Sequence, residues 1–496
     1  MHVRPRLTML TEREVKMIHA ASLEILATTG VLYESKTALD LLEAHGQKVD
    51  RSTGVAWLKP DIVEKCITTA PRRFTLASRD GKNDAVIDGK QMHHMTTGQN
   101  SFTLDHTTGE YRTSTLHDLT LSTLLADALK PIKVIWSTVF PTDASTDRRA
   151  LFEFAASNMW STKHFQMVGG VQDPEDVQYL LAMLDAVYGD RRKQRDRPIF
   201  SMVTCPVSPL KHDEAMTEAC IALAREWVPI VFWPMTLQGA TSPVTMAGTL
   251  LAANAEFLSG LVLYQLVQPG LPVIYPSGPE TLDMKTSLAS TSSPERNLWN
   301  VAFAQMTEFY DVPYMGAGLG SDAKAPGIQS AYESMATGMT AALTGCDLLT
   351  GVGSLNDTNT FSLIQMVIEE EICNILSFIR NGMEITPETL MADSIHRVGH
   401  SPNHHLGDPA TLRYVKSDKA YWPNISFRGT YGDWKRRGKD EAQLAADRLK
   451  MLLDNHDSEP LPADVQKELR RILVERTGYP SNDPRIEGVF RHPWRG

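Results

Sequence analysis

The chain has 496 residues, more than one hydrophobic core usually serves and about the size of a large α/β barrel with additions. Its 42% hydrophobic and 22% charged residues are those of an ordinary soluble globular protein. The net charge of −10 and the short, interrupted basic runs at 191–193 and 435–437 argue against a phosphate-tracking, nucleic-acid-binding surface.

The first residues, MHVRPRLTML, contain no apolar core of signal-peptide length. The longest apolar run, 257–267, is shorter than the ~20 residues a membrane helix needs, so the expectation is a cytoplasmic protein that binds neither membrane nor nucleic acid. Five cysteines, scattered and odd in number, argue against a disulfide framework or a zinc ribbon.

Residues 1–90 read as a helical cap. Thr11 and Glu14 form a capping box, apolar residues recur from Val15 to Leu26, and Gly30 closes the helix. A shorter helix runs from Ser35 to Gly46, and Pro60 opens a third at its first turn. From about residue 91 to 381 short apolar runs alternate with long helical patterns. Strands are predicted at 94–104, 132–140, 164–171, 199–205, 229–234, 272–276, 313–318 and 347–351. Helices are predicted at 116–129, 148–160, 174–188, 213–227, 245–267, 295–310, 328–343 and 363–380. This pattern predicts an α/β fold, a (β/α)₈ TIM barrel, with a doubly wound open sheet as the alternative. Residues 382–496 form a C-terminal extension with helices at 440–453 and 462–476, expected to pack on the barrel or at a subunit interface. Trp422, Trp434 and Trp494 suggest buried interfaces, and a homo-oligomer is expected.

Each strand after the first ends in Pro- or Gly-containing sequence, such as Phe140-Pro-Thr-Asp143, Gly169-Gly-Val-Gln172, Trp233-Pro-Met-Thr236 and Tyr275-Pro-Ser-Gly278. In a barrel these positions form the C-terminal mouth, where active sites lie. Five aromatic residues fall in or just after strands: Trp136, Phe140, Trp233, Tyr275 and Tyr314. Electron-rich ring faces bind poorly hydrated quaternary ammonium groups, and core packing is the competing explanation for each ring. The segment Gly316-Ala-Gly318-Leu-Gly320 lacks the early position and downstream acid of a dinucleotide fingerprint. His400, His404 and His405 lie in a loop bounded by Pro402 and Gly407, and no metal site is expected. Glu369, Glu370 and Glu371 read as an exposed helix face, with one inward carboxylate as the alternative.

The stretch from Gly318 through Asp322, Lys324 and Gln329 to Glu333 resembles the trimethylamine methyltransferase superfamily. So does the stretch from Gly345 to Leu355, which contains Gly351-Val352-Gly353, and so does the region from Ala70 to Asp118 with Asp105, Gly109, Arg112 and Thr115. The resemblance covers nearly the whole chain. The founding members carry pyrrolysine at a position matched here by Val352, which has no electrophilic imine. The resemblance therefore implies the branch without pyrrolysine, which demethylates glycine betaine and related quaternary amines. It implies a methyltransferase that hands the methyl group to Co(I) of a corrinoid carried by a cognate partner protein, with no cofactor held tightly by this chain.

On that reading Trp136, Phe140, Trp233, Tyr275 and Tyr314 cage the cation. Lys324 and Gln329, and less directly Arg112, hold a carboxylate tail, and Asp322, Glu333 and Val352 occupy catalytic positions. Transfer directly to a folate, a non-catalytic betaine or corrinoid-protein sensor, and an unrelated barrel lyase or hydrolase are the competing functions.

Overall fold

The computed structural model describes residues 5–144, 146–171, 174–417 and 419–495. At its centre eight strands close a barrel in sequential order. They are β1 (His93–Thr96), β2 (Ile132–Trp136), β3 (His164–Val168), β4 (Phe200–Thr204), β5 (Ile230–Phe232), β6 (Val273–Pro276), β7 (Tyr314–Ala317) and β8 (Leu348–Val352). All neighbouring pairs are parallel. A helix follows each strand: α1 (Leu116–Ala128), α2 (Arg149–Trp160), α3 (Pro174–Tyr188), α4 (Glu214–Arg225), α5 (Met246–Val267), α6 (Pro294–Tyr310), α7 (Ile328–Thr344) and α8 (Leu363–Asn381). Local chemistry sets their starts. Thr115, Asp213, Thr245 and Ser362 each accept a backbone N–H at the first turn of α1, α4, α5 and α8. Gly345, at φ +90°, ends α7 in a left-handed conformation that only glycine adopts cheaply. The TIM barrel is the fold the alternating pattern predicts.

Side chains alternate across the strands and fill two cores. Met95, Val134, Val203, Val231, Trp233, Ile274, Met315 and Leu348 fill the barrel interior. Their neighbours Ile135, Met202, Phe232, Tyr275, Tyr314 and Leu349 belong to the core between strands and helices.

Four sequence expectations need correction. The first is the purely helical N-terminus. Helices at Glu12–Thr28, Lys36–Ala44 and Pro60–Thr69 are present, but a small sheet intervenes. Its three-residue strands Val31–Tyr33, Lys48–Asp50 and Val55–Trp57 are too short to show a period, and Val31–Tyr33 pairs with Lys211–His212 from far along the chain. The second is the long first strand. The chain leaves the barrel after Thr96, and Phe102–Leu104 joins a separate sheet with Tyr111–Thr113 and Thr360–Phe361.

The third concerns membrane length. α5 has 22 residues and by length and composition alone could cross a membrane. Most of it is buried inside the molecule, packed against β5, β6 and the N-terminal helices, as a core helix is. The fourth concerns Glu369, Glu370 and Glu371, which are all buried. Consecutive helical residues point about 100° apart, so three glutamates reach three neighbours. Glu370 takes a two-pronged ion pair from Arg448 on the helix Glu441–Asn455. Glu371 accepts from the Tyr421 hydroxyl and the Asn424 N–H. Glu369 accepts from Ser334, Gln365 and the Gly353 N–H, and burial pushes its carboxyl up to about 8. Two of the three therefore fasten the C-terminal extension to the barrel, and the third fixes the loop after β8. Trp422 and Trp434 are exposed, whereas Trp494 is half-buried and donates to Asp454.

Candidate active site

A cavity of about 200 Å³ lies at the C-terminal ends of the strands. Trp136 at the end of β2 and Trp233 just after β5 line it, with ring centroids 5.3 Å apart and planes inclined by 42°. Val168, Val203, Cys205, Met235 and Ala317 add apolar wall. Backbone lines the rest, at Gly98, Gly318, Gly320 and Gly351. Two of these glycines are sterically required. A Cβ on Gly98 would lie 2.3 Å from the Trp136 ring, and one on Gly351 would lie 1.9 Å from the Gly318 carbonyl oxygen. Gly351 has φ +119°, where the pairing of β8 with β1 shifts register.

The charged lining residues are Glu280 and Arg296, with Thr97, Gln99, Thr291, Thr350 and Thr358 as the other polar ones. Glu280 opens the hairpin after β6, and Arg296 sits in the first turn of α6. The guanidinium donates to the carbonyls of Thr291, Ser277 and Pro279, and lies 3.4 Å from the Glu280 carboxylate. Burial raises the Glu280 carboxyl; Arg296 opposes the shift and Asp322 adds to it. Burial, then Glu280 and Asp322, pushes Asp357 up to about 7. Gln99 lines the cavity in a left-handed conformation, φ 54°, and donates to the Val168 carbonyl. Behind it Glu153 is fully buried and pairs with Arg149 at 2.8 Å; burial pushes its carboxyl up to about 7.

Of the aromatic residues singled out in the sequence, Trp136 and Trp233 face the cavity together. Tyr275 and Tyr314 sit one register position away and point out of the barrel. Tyr275 stacks on Phe257 of α5 at 3.6 Å and donates to Asn254, and Tyr314 donates to Asn300 of α6. The Phe140 ring is covered by the Arg149 guanidinium, 3.6 Å from its centroid. Lys324 and Gln329 are exposed and outside the lining, and Arg112 is tied to Asp105 and Asp118. Asp322 accepts from Ser290 and the Thr291 N–H, while Glu333 accepts from Ser321, Gln329 and the Asp322 N–H. Both carboxylates thus hold the loop after β7 in place beside the cavity. Val352 is buried in the outer core, and its neighbours Thr350 and Gly351 line the cavity. Gln172, in the mouth sequence after β3, lies outside the described residues.

Sequence reasoning missed Gln99, Glu280, Arg296 and Asp357. The mouth sequence Tyr275–Gly278 stops two residues short of Glu280, and an acid directly after a Pro/Gly-rich mouth loop was the available signal. Arg296 lay inside a helical pattern and gave none.

A cavity with two indole faces, an apolar wall and nearby carboxylates suits a small organic cation. Comparison with known proteins shows the family. The family model described as trimethylamine methyltransferase (MTTB) matches residues 1–478. The chain is 33% identical over 466 residues to trimethylamine methyltransferase MttB of Desulfitobacterium hafniense (strain DSM 10664 / DCB-2), covering 94% of this chain and 93% of that one. It is 34% identical over 470 residues to MttB of Methanosarcina thermophila, covering 94% and 96%. It is 30% identical over 474 residues to glycine betaine methyltransferase of Desulfitobacterium hafniense (strain Y51), covering 95% and 98%. With that match across nearly its whole length, this chain belongs to the trimethylamine methyltransferase family and is a methyltransferase.

Proposed function

We propose that this chain takes a methyl group from a quaternary amine, a class that includes glycine betaine, and passes it to the Co(I) corrinoid of a separate carrier protein in the cytoplasm. The observation that carries this reading is the Trp136–Trp233 pair facing one cavity at the barrel mouth. A quaternary nitrogen is already cationic, so its methyl carbon is electrophilic and a neutral tertiary amine leaves without a general acid. The position matched to pyrrolysine is Val352, which brings no electrophile of its own.

The chain's own residues bind, orient and exclude water. The two indole faces hold the cation, each contact contributing roughly 0.5–2 kcal/mol. Val168, Val203, Met235 and Ala317 keep the reacting methyl group out of water, which strengthens every charge interaction there. The mouth is compatible with a carrier-borne macrocycle. Val207, Met235, Val244 and Met284, on the loops after β4, β5 and β6, are exposed apolar side chains. When its carrier docks there, the corrinoid supplies the Co(I) nucleophile.

The test is incubation of the purified protein with chemically reduced cobalamin and a panel of methylated amines, following loss of the Co(I) absorbance. Turnover with a quaternary amine and none with trimethylamine is expected. Turnover with trimethylamine alone would overturn the substrate, and methyl transfer to a tetrahydrofolate without cobalamin would overturn the acceptor.

A further inference from the structure

The sequence resemblance supplied Lys324 and Gln329 for a substrate carboxylate, but neither lines the cavity. Among the described lining residues Arg296 is the one cation. Its donors are directed at three backbone carbonyls and Glu280, which uses most of the five N–H groups a guanidinium has. Around Glu280 stand two more carboxylates, Asp322 after β7 and Asp357 after β8, with exposed Lys324 near Asp357. Among the described lining residues Glu280 is the one carboxylate, and the cation beside it, Arg296, is spent largely on backbone carbonyls. A carboxylate tail placed here would meet like charge at short range, whereas a cation would relieve it.

Two further observations mark this side as built for a ligand. Asn356, Asp357 and Thr358 are three successive non-glycine residues in the left-handed region, at φ 53°, 54° and 58°. Such conformations cost of order 1 kcal/mol or more each and cluster at ligand clamps. The run brings Thr358 into the lining and leaves Asp357 Oδ1 buried with no hydrogen-bond partner. Just after β5, the strand beside β6, Trp233, 6% exposed, has an indole N–H that is also unpartnered.

We propose that Glu280 is the counter-ion for the substrate's ammonium group, and that this cavity selects quaternary amines whose remaining arm is uncharged over those that end in a carboxylate. The proposal rests on the quaternary-amine reading and narrows its substrate class. A hydroxyl-bearing arm also suits the site, because its O–H finds an acceptor in Glu280.

The experiment is calorimetric titration of the full-length protein and of Glu280→Gln with tetramethylammonium, choline, glycine betaine and trimethylamine. The wild type should bind choline at least about tenfold more tightly than glycine betaine, and Glu280→Gln should lose about tenfold for choline while betaine affinity holds or improves, as expected for one charged contact. Tighter binding of betaine than choline by the wild type would overturn this proposal and leave the quaternary-amine reading standing. Binding of trimethylamine with no quaternary amine bound would overturn both. Should Glu280→Gln fail to fold, choline titrations of the wild type across pH decide. Choline affinity should rise as the carboxyls near Arg296, Asp322 and Lys324 lose their protons, and a flat profile would sink the counter-ion role.

Discussion

The two ends of the barrel both enclose space, and they use charge in opposite ways. The cavity at the N-terminal end is the larger, about 340 Å³ against about 200 Å³ at the mouth. At the N-terminal end Arg6 pairs with Glu308 at 2.6 Å and Arg72 with Asp347 at 3.0 Å. Asp347 is fully buried and also accepts the N–H groups of Gly89 and Tyr314, so one carboxylate ties the N-terminal segment to two strands. At the mouth, Arg296 is spent largely on backbone carbonyls, Asp357 keeps a buried oxygen unpartnered, and three consecutive residues hold a costly backbone conformation. Cavity size alone would favour the N-terminal end. Paired charge marks the end that holds the fold together, and an unpartnered carboxylate oxygen marks the end poised for a ligand.

The largest effect should come from the N-terminal end. Asp347→Ala removes the buried carboxylate that pairs with Arg72 and accepts the Gly89 and Tyr314 N–H groups, and should cost about 3–5 kcal/mol in denaturant unfolding. A variant as stable as the wild type would end the claim that this carboxylate fastens the strands. At the mouth, Trp233→Ala should weaken binding of a quaternary amine by about 1–2 kcal/mol, read by calorimetry on the folded protein. A loss confined to melting temperature would return Trp233 to the core.

Tyr275→Phe sharpens the contrast within one layer of the barrel. It removes only the hydrogen bond to Asn254, so stability should drop by about 1 kcal/mol with substrate affinity unchanged. Weaker ligand binding would place this ring at the site after all. The smallest effect belongs to Lys324→Ala. An exposed side chain outside the lining should shift affinity by no more than about twofold, the usual range of a surface change. A larger loss would bring the loop after β7 over the cavity and restore the carboxylate grip that the resemblance implied.

Much of this architecture is legible in the residues. The eight repeats of apolar run and helical pattern, the Thr11–Glu14 capping box and the two long helices of the C-terminal extension stand where the pattern puts them, while the short helices Pro387–Leu390, Ala392–Val398, Pro409–Val415, Tyr431–Arg437 and Pro484–Phe490 do not show in it. The site is only half legible. Trp136 and Trp233 could be named, but so could Tyr275 and Tyr314, and nothing in their local sequence separates the pairs. The three glutamates of α8 look alike in sequence, yet they serve a mouth loop, a distant helix and an irregular segment.

The sequence by itself determined the kind of fold, because strand and helix periods and caps are local properties read within a few turns of chain. The tertiary structure decided which residues share the mouth cavity. Parallel barrel strands are buried on both faces, so they appear as unbroken apolar runs that carry no phase. Closing the barrel fixed that phase and sent Trp233 inward and Tyr275 outward. It also brought Glu280, Arg296, Asp322 and Asp357 together from loops and a helix start spread over many residues. No local rule encodes such a meeting of charges, which exists only once the last strand has paired with the first.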